Sequence, residues 1–454
     1  MLEILLFSIS IQGSGDIKYW LSDNMKENYE SFIDIGINER SIQTGVRLLF
    51  DQDKLIRDTL LNTGLERFFF IYSRERFNVR AGSFYTTFLR GMLLSAYEDL
   101  DIKQERRLDG LRIRLKPVNM LNLTFIGARP YILNHLEHED PIYAVNMELT
   151  PMSQLYLAAA YMRLDANKNA DTLSGLLYED WYGADFSYML GFLGFDGVYV
   201  GRNTYGTYLP GEGWVGISNV NGNGLYLSMN MSLPGFGVLI DAKRYKNIDG
   251  YLTGAPPCTY NGESINQGKD EEGFEVIVDA NPHEMLSFSF NYSYAQGIST
   301  DAELMELYIA PAIDFLSFNM TPYFLKIDRN KGAIENATNN EWETGLTFEG
   351  VWGSIGYTVK GYYKNIVEGV STTNDINSLI EFDTGNFSLG TLLVYSIGEQ
   401  ESKLYPSLSM VLRKDVFDIS LEAGLFKGQY ICKNGMCRYE EAFSGLKTGL
   451  SFRF

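Results

Sequence analysis

Leu446-Lys447-Thr448-Gly449-Leu450-Ser451-Phe452-Arg453-Phe454 is the stretch whose reading decides the fold. Extended backbone points successive side chains to opposite faces, so Leu446, Thr448, Leu450, Phe452 and Phe454 share one face and Lys447, Gly449, Ser451 and Arg453 the other. One face is apolar and ends on an aromatic; the other is polar. A free edge strand with large apolar groups invites aggregation in water, whereas a strand that closes a barrel in lipid leaves no edge. The segment therefore predicts barrel closure at Phe452 and Phe454, provided that the rest of the chain repeats the pattern.

It does. Phe417, Ile419, Leu421, Ala423 and Leu425 form one such face, Leu286, Phe288, Phe290, Tyr292 and Tyr294 another, and Leu225, Leu227, Met229, Met231 and Leu233 a third. Ile33, Ile35 and Ile37 run into a short turn, after which Ile42, Thr44, Val46, Leu48 and Phe50 climb back as a hairpin. At the start, Phe7, Ile9, Ile11, Gly13, Gly15, Ile17, Tyr19 and Leu21 share a face, so residues 7–19 are expected to be the first strand, paired antiparallel with the last. The apolar residues 2–11 lack the basic start and small-residue cleavage site of an export signal, which is expected to lie outside this sequence.

Short turns such as Arg74-Glu75 and Pro234-Gly235 alternate with long polar segments at residues 165–178, 203–223, 246–272, 328–340 and 427–444. That asymmetry belongs to transmembrane β-barrels, with short periplasmic turns and long extracellular loops. The runs number about 24, within a range of about 22 to 26, an even count as such a barrel requires. The expected fold is all-β: one transmembrane antiparallel barrel over residues 1–454 in a bacterial outer membrane, contacting lipid and using the barrel assembly machinery.

Composition agrees. Aromatic residues make up 14% of the 454, with Tyr 30 and Phe 28, the types that strands and interfacial girdles recruit. No apolar run reaches the ~18 residues of a spanning helix. A formal charge of -19 argues against nucleic acid, whose binding rests on clustered Lys and Arg. Propellers would repeat a motif at a fixed period, and none recurs. Cys432 and Cys437 flank Lys433-Asn434-Gly435-Met436, a tight-turn signal that makes a disulfide across the tip sterically reasonable; Cys258 is left over.

One segment departs from the plain hairpin. From Gly82 to Asp99 apolar residues cluster, and a charge-dense run follows into a strand with Leu111, Ile113 and Leu115 on one face and Arg112, Arg114 and Lys116 on the other. A row of cations belongs in a wet lumen, because each would cost ~2 to 4 kcal/mol against acyl chains at mid-depth. Arg90, Glu98, Asp99, Arg112, Arg114 and Lys116 are the candidate lumen residues, with Glu98, Asp99 and Asp101 placed to pair with the cationic row. Gly82 and Gly91 suit close backbone approach. Residues 84–109 are expected either to enter the lumen as a constriction or plug, or to form an ordinary strand and extracellular loop.

The pattern of Gly82, Phe84, Tyr85, Phe88, Gly91, Leu93, Leu94, Tyr97, Glu98 and Asp99 resembles an uncharacterised family of Gram-negative outer-membrane barrels known only as a domain of unknown function. The terminal alternation ending in Phe454 is likewise similar to the closing strand of such barrels. The resemblance implies a barrel location; it carries no catalytic residue.

No phosphate-binding loop, Gly-x-Ser-x-Gly elbow or His-Glu-x-x-His helix occurs. His135, His138, Glu139 and Asp140 are of ligand type, but a solvated loop is the better reading, so neither a metal nor a cofactor is expected. The leading expectation is a porin-like channel for small polar solutes, not an enzyme, because a wall of about 24 strands encloses more space than its side chains fill. The alternatives are an envelope scaffold or secretion-associated barrel that binds a partner protein, and an outer-membrane hydrolase.

Overall fold

The computed structural model describes residues 10–22, 27–39, 41–52, 62–99, 104–132, 141–165, 178–205, 208–209, 213–214, 220–248, 250, 252–265, 269–330, 340–368, 371–398, 402–433 and 436–453. Phe454, the 135–140 cluster and Asp101 lie outside them, as do the first residues of the expected opening strand.

Twenty-four strands form one closed antiparallel wall, each paired with its predecessor in the wall. They run from 8 to 15 residues, and all but Phe77–Phe84 reach the roughly 9 to 11 that a tilted strand needs to cross a hydrocarbon layer. The ring closes between Ser10–Ser22 and Phe443–Arg453, in register from Ser14 opposite Arg453 to Ser22 opposite Gly445. Across that seam Ser451 Oγ donates to Asp16 Oδ2 at 2.9 Å.

Alternation decides which side each residue takes. In Ile142–Met152, Tyr143, Val145 and Met147 are exposed while Ala144 and Asn146 are buried; in Tyr178–Leu190, Tyr182, Phe186 and Tyr188 face out while Trp181 and Asp185 face in. Burial is thus inverted relative to a water-soluble barrel: large apolar groups cover the outside, and the inside carries Glu, Asp, Asn and Ser. Several outer rings lie over glycines of the neighbouring strand. A Cβ at Gly197 would sit 2.3 Å from the Phe186 ring, and one at Gly201 2.4 Å from Tyr182.

Strand Phe77–Phe84 stops short. Its ladder with Asn62–Arg74 covers only Phe69 opposite Gly82 to Arg74 opposite Phe77, because the chain turns inward at Gly82. That residue has φ +96°, and a Cβ there would lie 2.3 Å from the Phe68 carbonyl oxygen, so only glycine fits. Residues 85–99 then form a small hairpin, Thr86–Phe88 against Leu94–Asp99 around a tight turn at Leu89–Gly91, and the wall resumes with Gln104–Val118. The stretch expected to leave the wall is therefore shorter than 84–109: from Arg106 to Asp109 the chain is laddered to the next strand, Leu121–Ile132.

Of the long segment between Phe236–Lys246 and Asp270–His283, expected as an extracellular loop, the described residues 252–265 also fold inward. Ile248, Leu252, Cys258 and Ile265 are nearly fully buried. Burying these four apolar groups outweighs leaving the segment in water, at roughly 1.5 to 3 kcal/mol for each large side chain.

Candidate functional site between the inserted segments and the inner wall

The inserted hairpin and the second segment, which we call the strap, hold each other. Ser95 N donates to Leu252 O at 2.6 Å, Gly254 N to Gly91 O at 2.9 Å, and Arg106 Nη1 to Thr253 O at 2.8 Å. Gly91 has φ +89°, and a Cβ on it would meet Gly254 O at 2.9 Å, so this crossing also requires glycine. Phe84, Phe88, Leu89, Met92, Leu93 and Leu94 form an apolar cluster with inward-facing Trp181, Val198, Val200 and Tyr226.

Polar anchors surround that cluster. Arg90, at the hairpin tip, donates to Asp196 at 2.5 Å and Ser187 at 2.9 Å, and its Nε lies 3.5 Å from Asp185. Burial opposes the Arg90 charge, but Asp185 and Asp196 more than offset it and hold its pKa above the ordinary value. Glu98 accepts from Arg47 at 2.7 Å and Arg67 at 2.9 Å, and Arg47 is also bound by Asp34. Arg67 reaches the Tyr85 hydroxyl, which donates to Glu105 at 2.9 Å. On the strap, Glu263 forms a two-oxygen pair with Arg329, the closer contact 2.7 Å, and the Tyr260 amide donates to Glu306 at 2.7 Å. The buried Cys258 thiol is pushed up to about 12 by desolvation, with Lys243 opposing.

The candidate residues divide accordingly. Arg90 and Glu98 join the hairpin to the wall. Asp99 stands opposite Gln104 at the far end of the strand that carries Arg112, Arg114 and Lys116. The expected pairing of Glu98 and Asp99 with that cationic row does not occur for Glu98. The ladder sets it opposite Glu105, seven residues or roughly 23 Å of extended chain from Arg112, and it turns to Arg47 and Arg67 instead. Arg112 is buried beneath the Phe84 ring and donates to Tyr85 O at 3.3 Å. Arg114 stands opposite Asn78 on one side and Thr124 on the other, and the half-buried Lys116 gives its backbone amide to Arg76 O. The backbone places Cys432 directly opposite Cys437 in a two-stranded tip; their side chains lie outside the described residues. Phe452 packs its ring over Gly15.

The strap, Arg47, Arg67, Asp185 and Asp196 were not singled out from the sequence. A signal for the strap existed: Ile248, Leu252, Cys258 and Ile265 recur within an otherwise polar stretch, more apolar groups than a solvated loop needs. Among the described residues no cluster of His, Cys, Asp and Glu fit to hold a metal ion occurs.

An apolar exterior, a polar interior and a seam between first and last strands define a large antiparallel barrel of the outer-membrane type. The chain belongs to the family of unknown function DUF6029, whose profile matches residues 15–267. No curated protein matches its sequence significantly. Among solved structures it is similar to the Escherichia coli P pilus tip assembly intermediate PapC-PapD-PapK-PapG in its second conformation. That match has 9% identity and TM-score 0.54, covering 98% of this chain and 60% of that one. The P pilus usher (PapC) translocation pore gives 10% identity and TM-score 0.45, with 98% and 99% covered. OccK3 (OpdO) of Pseudomonas aeruginosa gives 12% and 0.43, with 98% and 96% covered.

Proposed function

We propose that this protein is an outer-membrane channel for small polar solutes, narrowed by a plug that the hairpin and strap build together. The observation that carries the reading is the plug's eccentric position. Every described residue of the two lumenal apolar clusters lies between Phe84 and Ile327; the wall strands from Asn340 to Arg453 contribute none. Those strands instead line the interior with polar groups such as Asp375, Asn377, Ser388 and Ser396. A wall of this circumference is too wide for its own side chains to fill, so a plug seated on one arc leaves a wet passage beside the other.

Reconstitution of the purified protein in planar bilayers tests this. Stepwise ohmic conductance is the expected result, rising in a variant lacking residues 86–96. Absence of conductance in both proteins, with β structure intact by circular dichroism, would overturn the channel reading and favour a barrel that works by holding a partner.

A further inference from the structure

Several arginines inside the barrel face carboxylates, and two at the neck of the hairpin do not. Arg47 has Asp34 and Glu98, Arg67 has Glu98, Arg90 has Asp185 and Asp196, Arg107 has Glu105 and Asp109, and Arg329 has Glu263. Arg80 and Arg112 have no carboxylate among the described residues. They stand directly opposite each other on adjacent strands with both side chains inward, an arrangement in which like charges repel. Each gives one hydrogen bond to a neutral carbonyl: Arg80 Nε to Ser83 O at 3.0 Å, and Arg112 Nη1 to Tyr85 O at 3.3 Å. Arg112 is only 9% exposed, and its buried Nε has no hydrogen-bond partner among the described residues.

Two adjacent guanidinium groups present up to ten donors, of which these carbonyls take two. A cavity of about 510 Å³ adjoins Arg80, which lines it together with Arg67, Arg47, Asp34 and Phe69. Its volume falls in the range of small-molecule sites. The Arg80 guanidinium lies 4.7 Å from the centroid of the Phe69 ring and that of Arg112 5.5 Å from Phe84, so both forks are held flat against apolar faces. Planar forks match the two oxygens of a carboxylate, and the neighbouring rings suit an organic body better than a fully hydrated inorganic ion.

We infer that Arg80 and Arg112 form a binding site for a small organic carboxylate at the neck of the hairpin. This rests on the channel reading and names the class of solute that pauses in the passage. A carboxylate there would neutralise the facing charges and bridge hairpin neck to wall, so occupancy and plug position would be linked.

Isothermal titration of the full-length protein in detergent tests the site, with benzoate as probe and neutral benzamide and inorganic phosphate as comparisons. Benzoate is expected to bind at least ten-fold more tightly than either. Arg80→Gln with Arg112→Gln should weaken benzoate at least ten-fold, whereas Lys360→Gln, a lumenal cation elsewhere, should leave it unchanged. If the double glutamine variant lacks β structure by circular dichroism, Arg80→Lys with Arg112→Lys takes its place. A three-fold or greater loss then supports the site, because lysine keeps charge but not the fork. Equal binding of benzoate and benzamide, phosphate as tight as benzoate, or variants that bind like wild type would each overturn it. Conductance is measured on the same preparations, so a conducting protein without carboxylate binding overturns this inference alone, and a silent one overturns the channel.

Discussion

Arg90 ties the tip of the inserted hairpin to Asp196 on the inner wall, 106 residues away in sequence, through a 2.5 Å contact. Its Nε also faces Oδ2 of Asp185, a buried carboxylate whose Oδ1 has no hydrogen-bond partner among the described residues. Replacing Arg90 with Ala should therefore cost about 1 kcal/mol for the lost charge-assisted bonds, discounted because the guanidinium is a third exposed. Open-state current noise should rise as the tip loosens. Both are read by urea unfolding in micelles and by single-channel recording; unchanged values would show that the apolar cluster alone holds the tip.

Gly82 sets the angle at which the chain leaves the wall. Gly82→Ala places a methyl group against the Phe68 carbonyl at a positive φ, and should lower stability by roughly 1 to 3 kcal/mol. Gly191→Ala is the comparison: φ is +62° but nothing lies within 4 Å, so only the conformational cost remains, about 1 kcal/mol. The difference between the two measured losses isolates the steric clash.

Cys258 should resist alkylation. With its thiol pushed up to about 12, the thiolate fraction at pH 8 is about 10⁻⁴, where an ordinary thiol is roughly a quarter ionised. In a Cys432→Ser, Cys437→Ser background, iodoacetamide should label the folded protein slowly and the urea-unfolded protein fast. Because the thiol rather than the thiolate is favoured in the fold, native labelling should still be climbing at pH 9. Equal rates in both states would show that the strap opens freely.

Cys432 and Cys437 are predicted to be joined in protein exported to an oxidising compartment, since the ladder sets them opposite each other. Mass spectrometry of unreduced peptides should find them linked; free thiols under those conditions would disprove it. So short a loop loses little chain entropy, and Cys432→Ser should lower stability by less than about 3 kcal/mol.

The wall was legible in the sequence because its physics is local. Alternation at Leu225 to Leu233 or Phe417 to Leu425 needs no knowledge of neighbours, and period two alone sorts the side chains onto an apolar and a polar face. The interior was legible only where a residue type is impossible elsewhere, as for Arg112, whose strand and side follow from period two alone. Partners inside the lumen depend on which segments cross it. Nothing local in Glu98 says that it will meet Arg47, 51 residues away, and nothing in Ser95 that it will bond to Leu252. The strap was misread for a related reason: Asn261, Gly262, Glu263 and Ser264 look solvated until Arg329 and Glu306 are known to stand beside them.

The seam between Gly15 and Phe452 bears on the order in which the molecule is assembled. Asp16 and Ser451 are bonded across 435 residues, so closing this ring is the most non-local strand pairing among the described residues and belongs to the slow end of folding. The hairpin and strap lie between those ends in sequence and inside the ring in space. The finished cylinder is wrapped around them, with Phe452 laid over Gly15 where the ring meets itself.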